Sequence, residues 1–202
     1  MNLFRKIFSS DSKEQKKEQK KEDKSDFSTK KNLPVDELFT VNFNENGGKF
    51  LYCESIDEVH EFLNQIIEEN NWNDKSALIL NSRLKKQFKN FNWQTTKKLS
   101  EGHYLFTTCE NLIASDGSIL ISSNQIAEKK LQELPKNFII YSTTSQIVNT
   151  IGEGLQIIKA NNKKNIPSNI TTIKHFKINE ENNFLSYGSS SKNLYLILLE
   201  DL

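Results

Sequence analysis

Cysteine is scarce in this chain. Among 202 residues there are two, Cys53 and Cys109. They form no Cys-x-x-Cys pair and have no neighbouring histidine. Zinc and iron–sulfur centres need several thiolate or imidazole ligands converging, and this chain cannot supply a cysteine cluster. With no signal-peptide pattern, the expectation is two reduced thiols in a cytoplasmic protein. A disulfide between them stays possible. Cys109 stands beside Glu110, whose charge would raise the thiol pKa and work against a nucleophilic role. Net charge is equally scarce, at +1. That removes a strong global field, and with it the simplest case for nucleic-acid binding. No apolar run approaches the roughly 20 residues that a spanning helix requires. A Gly-x-Gly-x-x-Gly fingerprint after a first strand is also absent. Gly152 and Gly154 fall inside a predicted helix, which argues against a classical dinucleotide site.

What is present divides at about residue 33. Met1–Phe8 carries a short apolar face of Leu3, Phe4, Ile7 and Phe8 with two cations. It reads as a frayed terminus, with membrane-surface or partner docking as the alternative. Residues 9–32 are a Lys, Glu, Gln and Ser tract whose one large apolar residue is Phe27, too little to offset ordering entropy. The expected organisation is a disordered charged tail over 1–32 and one α/β domain over 33–202.

Within that domain, Val35 to Phe43 fits both helical and strand periods. Lys49 to Cys53 reads as a strand. Ser55 caps a helix with Glu58 as capping-box partner, and Val59, Phe62, Leu63, Ile66 and Ile67 form its buried stripe. His60 falls off that stripe, facing solvent. Ala77 to Leu80 is all apolar, as in strands covered on both faces. Leu84, Phe88 and Phe91 suggest a short helix, with Trp72 and Trp93 as packing anchors. His103 to Thr108 is a strand, and Ala127 to Leu134 a short amphipathic turn or helix. Phe138 to Tyr141 is a further strand. A helix is expected from Gln146 to about Ala160, burying Ile147, Val148, Ile151, Leu155 and Ile158. Ile170 to Phe176, Phe184 to Tyr187 and Asn193 to Leu199 are the last expected strands, with a Gly188–Ser191 hairpin turn joining the final two. Strands alternating with helices, followed by a run of strands, predict a mainly parallel sheet with antiparallel additions.

The chemistry-bearing stretch is Cys109 to Ser123. Two apolar runs, Leu112 to Ala114 and Ile119 to Ile121, flank Ser115-Asp116-Gly117-Ser118. Asp-Gly is a strong reversal signal, so two strands should meet at a tight turn. The expectation places the carboxylates of Glu110 and Asp116 close to the hydroxyls of Ser115 and Ser118. Glu110 or Asp116 is then the candidate general base, and Ser118 with backbone N–H groups, beside Ser115 and Gly117, would hold an anion. A purely structural hairpin is the alternative. Ser142 to Ser145 follows a strand at its carboxyl end, where open α/β sheets bind ligands, which makes Ser142 and Thr143 a second candidate site.

The run Glu110 to Ser123 resembles the signature of the LUD (lactate-utilisation) domain family: a polar residue, a short apolar run, a Gly-containing turn and an apolar strand. Leu134-Pro135 before Phe138-Ile139-Ile140-Tyr141 is similar to the family's Leu-Pro before a central strand. Tyr187-Gly188-Ser189 and Leu194 to Asp201 are similar to its Gly-rich turn and last apolar strand. The resemblance favours a helix over Val35 to Phe43. It implies a Rossmann-like layered fold of the sugar-isomerase and CoA-transferase type, whose members bind phosphorylated sugars or acyl carriers. It carries Glu110, Asp116, Gly117, Ser118 and Gly188 over as family positions. It also implies a cluster-free partner of iron–sulfur and Cys-rich proteins in oxidising lactate to pyruvate. No cofactor is then bound directly, and clusters sit only in the partners. One departure stands out: the family's Gly-Pro-Ser-x-Thr-Ala-Asp-Ile-Glu motif is replaced here by Ile170 to Lys177. An isomerase-like enzyme or binding domain for a small anionic or phosphorylated ligand is the other reading.

Overall fold

The computed structural model describes residues 33–176 and 192–201. The predicted tail over 1–32, the strand Phe184 to Tyr187, the turn Gly188 to Ser191 and Gly188 itself lie outside them. The fold is mixed α/β, with a mainly parallel main sheet flanked by helices, as the alternation of patterns predicts.

Helix α1 (Val35–Glu45) starts after Pro34 and buries Phe39 and Phe43. It resolves the helix-or-strand ambiguity in favour of the 3.6 period. Strand β1 (Lys49–Cys53) leads into α2 (Ile56–Glu69), where the Ser55 hydroxyl accepts from Glu58 N. The expected stripe of Val59, Leu63, Ile66 and Ile67 is buried. Next come β2 (Ser76–Leu78), α3 (Ser82–Gln87), β3 (Gln94–Thr96) and β4 (Gly102–Thr107). β3 is a polar edge strand that hydropathy alone passes over.

The hairpin is β5 (Asn111–Ile113) and β6 (Ser118–Ile121), followed by the single turn α4 (Ser123–Ile126). β7 (Asn137–Thr143) then runs through a 3₁₀ turn, Thr144–Gln146, into β8 (Ile147–Val148). Helix α5 (Ile151–Asn161), β9 (Thr171–Ile173) and β10 (Asn193–Leu199) complete the described chain.

Two sheets result. The main one has the order β1-β10-β7-β4-β2-β3, and every pairing is parallel. β10 therefore lies inside it, between β1 and β7, and its run Leu194 to Leu198 is wholly buried, as parallel strands covered on both faces require. The buried Lys192 ammonium just before β10 donates to the carbonyls of Leu131, Leu134 and Pro135 at 2.6, 3.1 and 3.1 Å. The smaller sheet, β8-β5-β6-β9, holds the antiparallel pairings.

Alternation along the strands separates the faces. Tyr104, Phe106, Ile139, Tyr141, Tyr195 and Ile197 pack with α2, Leu84 and Phe88 in one core. His60, expected to face solvent, is instead half-buried, its ring 5.5 Å from Phe88 and 5.8 Å from Phe91. Trp72 is buried and stacks on Tyr104 at 4.7 Å. The opposite face presents Leu105, Phe138, Ile140, Leu196 and Leu198, all fully buried. α1 packs there, with Phe43 edge-on to Phe50 at 6.5 Å.

One predicted element is replaced. The helix expected from Gln146 begins only at Ile151, where Thr150 caps it by accepting from Glu153 N at 3.3 Å. The Thr143–Gln146 turn and β8 take its first residues. Of the five side chains expected to be buried, Val148 and Ile158 are, in β8 and α5, whereas Ile151 and Leu155 are 38% and 41% exposed. The cause is Gly154. A Cβ there would stand 3.0 Å from Leu120 and 3.4 Å from Ile113, so the helix backbone itself lies on the small sheet and only a narrow Gly154–Ile158 stripe is covered.

Phe88 is the hub of the helix-side core, within 5.0–6.4 Å of Phe106, Tyr141, His60 and Trp93. Phe88→Ala should lower unfolding free energy by about 3–5 kcal/mol in urea titration, against near zero for the exposed neighbour Lys89→Ala.

Candidate functional site at the carboxyl edge

All strands of the main sheet end on one edge. The chain leaves β2 towards β3 and leaves β4 towards β7, so the order reverses between β2 and β4. In open α/β sheets the connections part at such a switch point and leave a crevice. A polar cleft of about 510 Å³ lies on the connections that follow these strands, lined by Leu80, Asn81, Ser82, Arg83, Asn124, Gln125 and Asn162. Asn81 shapes one wall. Its Oδ1 caps α3 by accepting from Arg83 N (2.9 Å) and Leu84 N (3.1 Å), and its Nδ2 donates to Asn124 O at 3.3 Å.

Glu110 stands directly behind this wall. Its Oε1 accepts from Ser122 Oγ at 2.5 Å and from Asn124 Nδ2 at 2.9 Å. Ser122 is fully buried and is positioned by a capping box with Gln125, whose Oε1 accepts from Ser122 N at 2.8 Å. Gln146 supports the same corner from the other side. Its Nε2 donates to Cys109 O (2.8 Å) and Glu110 O (3.2 Å), while its Oε1 accepts from Ser142 Oγ (2.9 Å) and Thr143 N (3.0 Å). Ser142 and Thr143 thus belong to the scaffold around Glu110.

Cys109 is part of that scaffold, its Sγ 3.2 Å from Ser142 Oγ. Burial pushes its thiol up to about 12; the hydrogen bond with Ser142 opposes this and the charge of Glu110 adds to it. Cys53 is likewise raised to about 12 by burial and then by Glu58. Both thiols are free. β10 and β7 lie between β1, which ends in Cys53, and β4, which Cys109 follows, a separation of roughly 14 Å that no disulfide spans. Among the described residues no three His, Cys, Asp or Glu side chains gather as a metal site would need.

The Asp116 turn occupies the far end of the hairpin. Its Oδ1 accepts from Ser118 N (3.1 Å) and Ser118 Oγ (2.6 Å), and its Oδ2 is 3.6 Å from Lys174 Nζ. The exposed Ser115 uses its N–H on Asn149 O. Gly117 has φ +66°, and a Cβ there would lie 2.4 Å from the Asn42 carbonyl carbon, so the turn is pressed against α1. Asn42 and Asn46 bond its carbonyls, at Ala114 and Asp116, both at 2.7 Å. The expectation that Glu110 and Asp116 share one site is therefore corrected. The β5–β6 ladder separates them by on the order of 10 Å. The antiparallel register sets Glu110 beside Ser122 and leaves Asp116 at the closed end.

Sequence reading passed over Ser122, Gln125 and Gln146. Ser122-x-x-Gln125 and Thr143-x-x-Gln146 are the capping-box signals that could have marked them. It also passed over Asp201 as a functional anchor. Asp201 Oδ1 accepts from Thr144 Oγ1 and Ser145 N, both at 2.9 Å, and Oδ2 accepts from Ser145 Oγ at 2.7 Å. Burial would raise its pKa, but the hydrogen bonds from Ser145, Thr143 and Thr144 outweigh it and bring the carboxyl down to about 2. A depressed carboxylate contributes stability above its unfolded pKa and loses it as pH falls through the folded value. The Ser145 amide resonance should therefore hold its position from pH 7 to about 4 and move with a midpoint near 2 in an NMR titration.

The LUD-domain family model matches residues 37–199. A crystal structure of a DUF162-family protein from Deinococcus radiodurans has a similar fold, with a TM-score of 0.57 at 14% identity, over 84% of this chain and 99% of that one. No curated protein matches. With the family model spanning the α/β domain from α1 through β10, the chain belongs to the LUD-domain family.

Proposed function

We propose that this LUD domain is a cluster-free subunit in the oxidation of L-lactate, or a related 2-hydroxy acid, to pyruvate, acting in the cytoplasm with iron–sulfur and Cys-rich partner proteins. The family match carries the reading, since the LUD domain is a lactate-utilisation domain. The thiols agree with it. Oxidising a 2-hydroxy acid to the 2-oxo acid releases two electrons and two protons. A chain with two separated, protonated cysteines cannot ligate a four-thiolate cluster to take those electrons. The electrons would pass to clusters in the partners. Among the described residues no helix is long and apolar enough to cross a membrane.

A second reading is favoured by the cleft at the switch point: a binding domain or isomerase-like enzyme for a small anionic ligand. In that reading Glu110 is the general base, because its carboxylate reaches the cleft wall through Asn124. Asp116 serves the turn by accepting from Ser118 N and Oγ, at the far end of the hairpin from Glu110.

Anaerobic affinity purification from the native cells distinguishes the two. The first reading expects iron–sulfur and Cys-rich proteins in fixed proportion to the tagged chain, with cluster absorbance that bleaches on adding L-lactate. A chain that emerges alone and iron-free contradicts it.

A further inference from the structure

The cleft between Arg83 and Asn162 holds a specific set of unused groups. Arg83 makes no ion pair among the described residues, and it is one of the residues that line the cleft. Asn124 donates its amide Nδ2 to Glu110 (2.9 Å) and Asn162 donates its own to Ile158 O (2.8 Å). Their carbonyl oxygens are left as acceptors. Leu80 is the one aliphatic side chain in the lining, so the cleft does not suit an apolar ligand.

The charge pattern agrees. From Lys75 to Ser100 the chain contains Arg83, Lys85, Lys86, Lys89, Lys97 and Lys98 and no acid. Lys163 and Lys164 directly follow Asn162 on the other wall, again with no acid nearby in sequence. Of these two segments Arg83 and Asn162 line the cleft, and Lys98 is spent on Glu101 at 2.9 Å. The Glu110 carboxylate, bonded to the lining residue Asn124, is already held by Ser122 and Asn124.

We propose that this cleft binds a small hydroxylated organic anion. The anionic group pairs with the Arg83 guanidinium, whose planar fork fits a carboxylate or a phosphate in bidentate fashion. Hydroxyl groups donate to the Asn124 and Asn162 carbonyl oxygens. The volume of about 510 Å³ falls within the roughly 300–1,000 Å³ of small-molecule sites. The site extends the lactate reading by giving its substrate class a location, but it rests on the cleft and stands whether or not partners are found.

The test is calorimetric and NMR titration of the full chain with L-lactate and with glycerol 3-phosphate, which carry the same hydroxyl chemistry on a carboxylate and on a phosphate. Propionate, which is lactate without its hydroxyl, is the comparison. The expected result is saturable binding of at least one probe, shifting the amides of Arg83, Asn124 and Asn162, with propionate weaker. Lactate binding identifies a carboxylate ligand and glycerol 3-phosphate binding a phosphate ligand. Arg83→Ala should weaken binding at least about tenfold. Lys75→Ala, before β2 at the opposite edge of the sheet, should leave it unchanged. No saturable binding of either probe up to about 10 mM, or binding that survives Arg83→Ala undiminished, overturns the proposal. A failed purification of partners alongside successful titration would remove the subunit reading and leave the site.

Discussion

The carboxamide of Gln146 is the contact on which the two sheets depend. It donates to the Cys109 and Glu110 carbonyls, where the chain crosses from β4 into the small sheet. It accepts from Ser142 and Thr143, where the chain crosses from β7 towards β8. Both crossings leave the parallel ladder, and each would otherwise bury unpaired backbone groups at a cost of about 1–3 kcal/mol apiece. One side chain satisfies the N–H of Thr143 and both carbonyls. Its position after a Ser/Thr-rich strand end, and not inside a helix, follows from that role.

The placement of Glu110 follows from the same constraint. Because β5 starts immediately after it and pairs with β6, Glu110 faces Ser122 across the open end of the hairpin. α4 begins there, and its Asn124 reaches both Glu110 and the cleft. The switch in strand order opens the crevice, the hairpin sets a carboxylate behind its wall on Asn124, and α3 brings Arg83 to the lining. No residue of the Asp-Gly turn is among those that line it.

Much of the fold was legible in local chemistry. Phe138 to Tyr141 and Asn193 to Leu199 read as strands from their apolar runs, but the last was expected as a hairpin partner, and its parallel place between β1 and β7 is a tertiary fact. The Asp116-Gly117 turn was legible because a residue at φ +66°, with no room for a Cβ, calls for glycine. The Ser55 cap announced α2. The site was less legible, because it depends on pairings remote in sequence. The hairpin signal gave the reversal correctly but did not say which end faces the cleft. Gln146 carries helix-compatible neighbours in Ile147 and Val148, and only parallel pairing with Leu112 and Ile113 makes those two residues a strand. Gly154 likewise conceals its role, since its closeness to Leu120 is a tertiary fact. The family's late Gly-rich turn at Gly188 falls outside the described residues.

Hydrogen exchange on Gln146→Ala tests most directly whether this one carboxamide couples the small sheet to the main one. The amides of Leu112, Ile113 and Leu120 should exchange on the order of tenfold faster, with Ile139, Ile140 and Leu196 in the main sheet unchanged. Protection lost equally in both sheets, or lost in neither, would contradict that coupling.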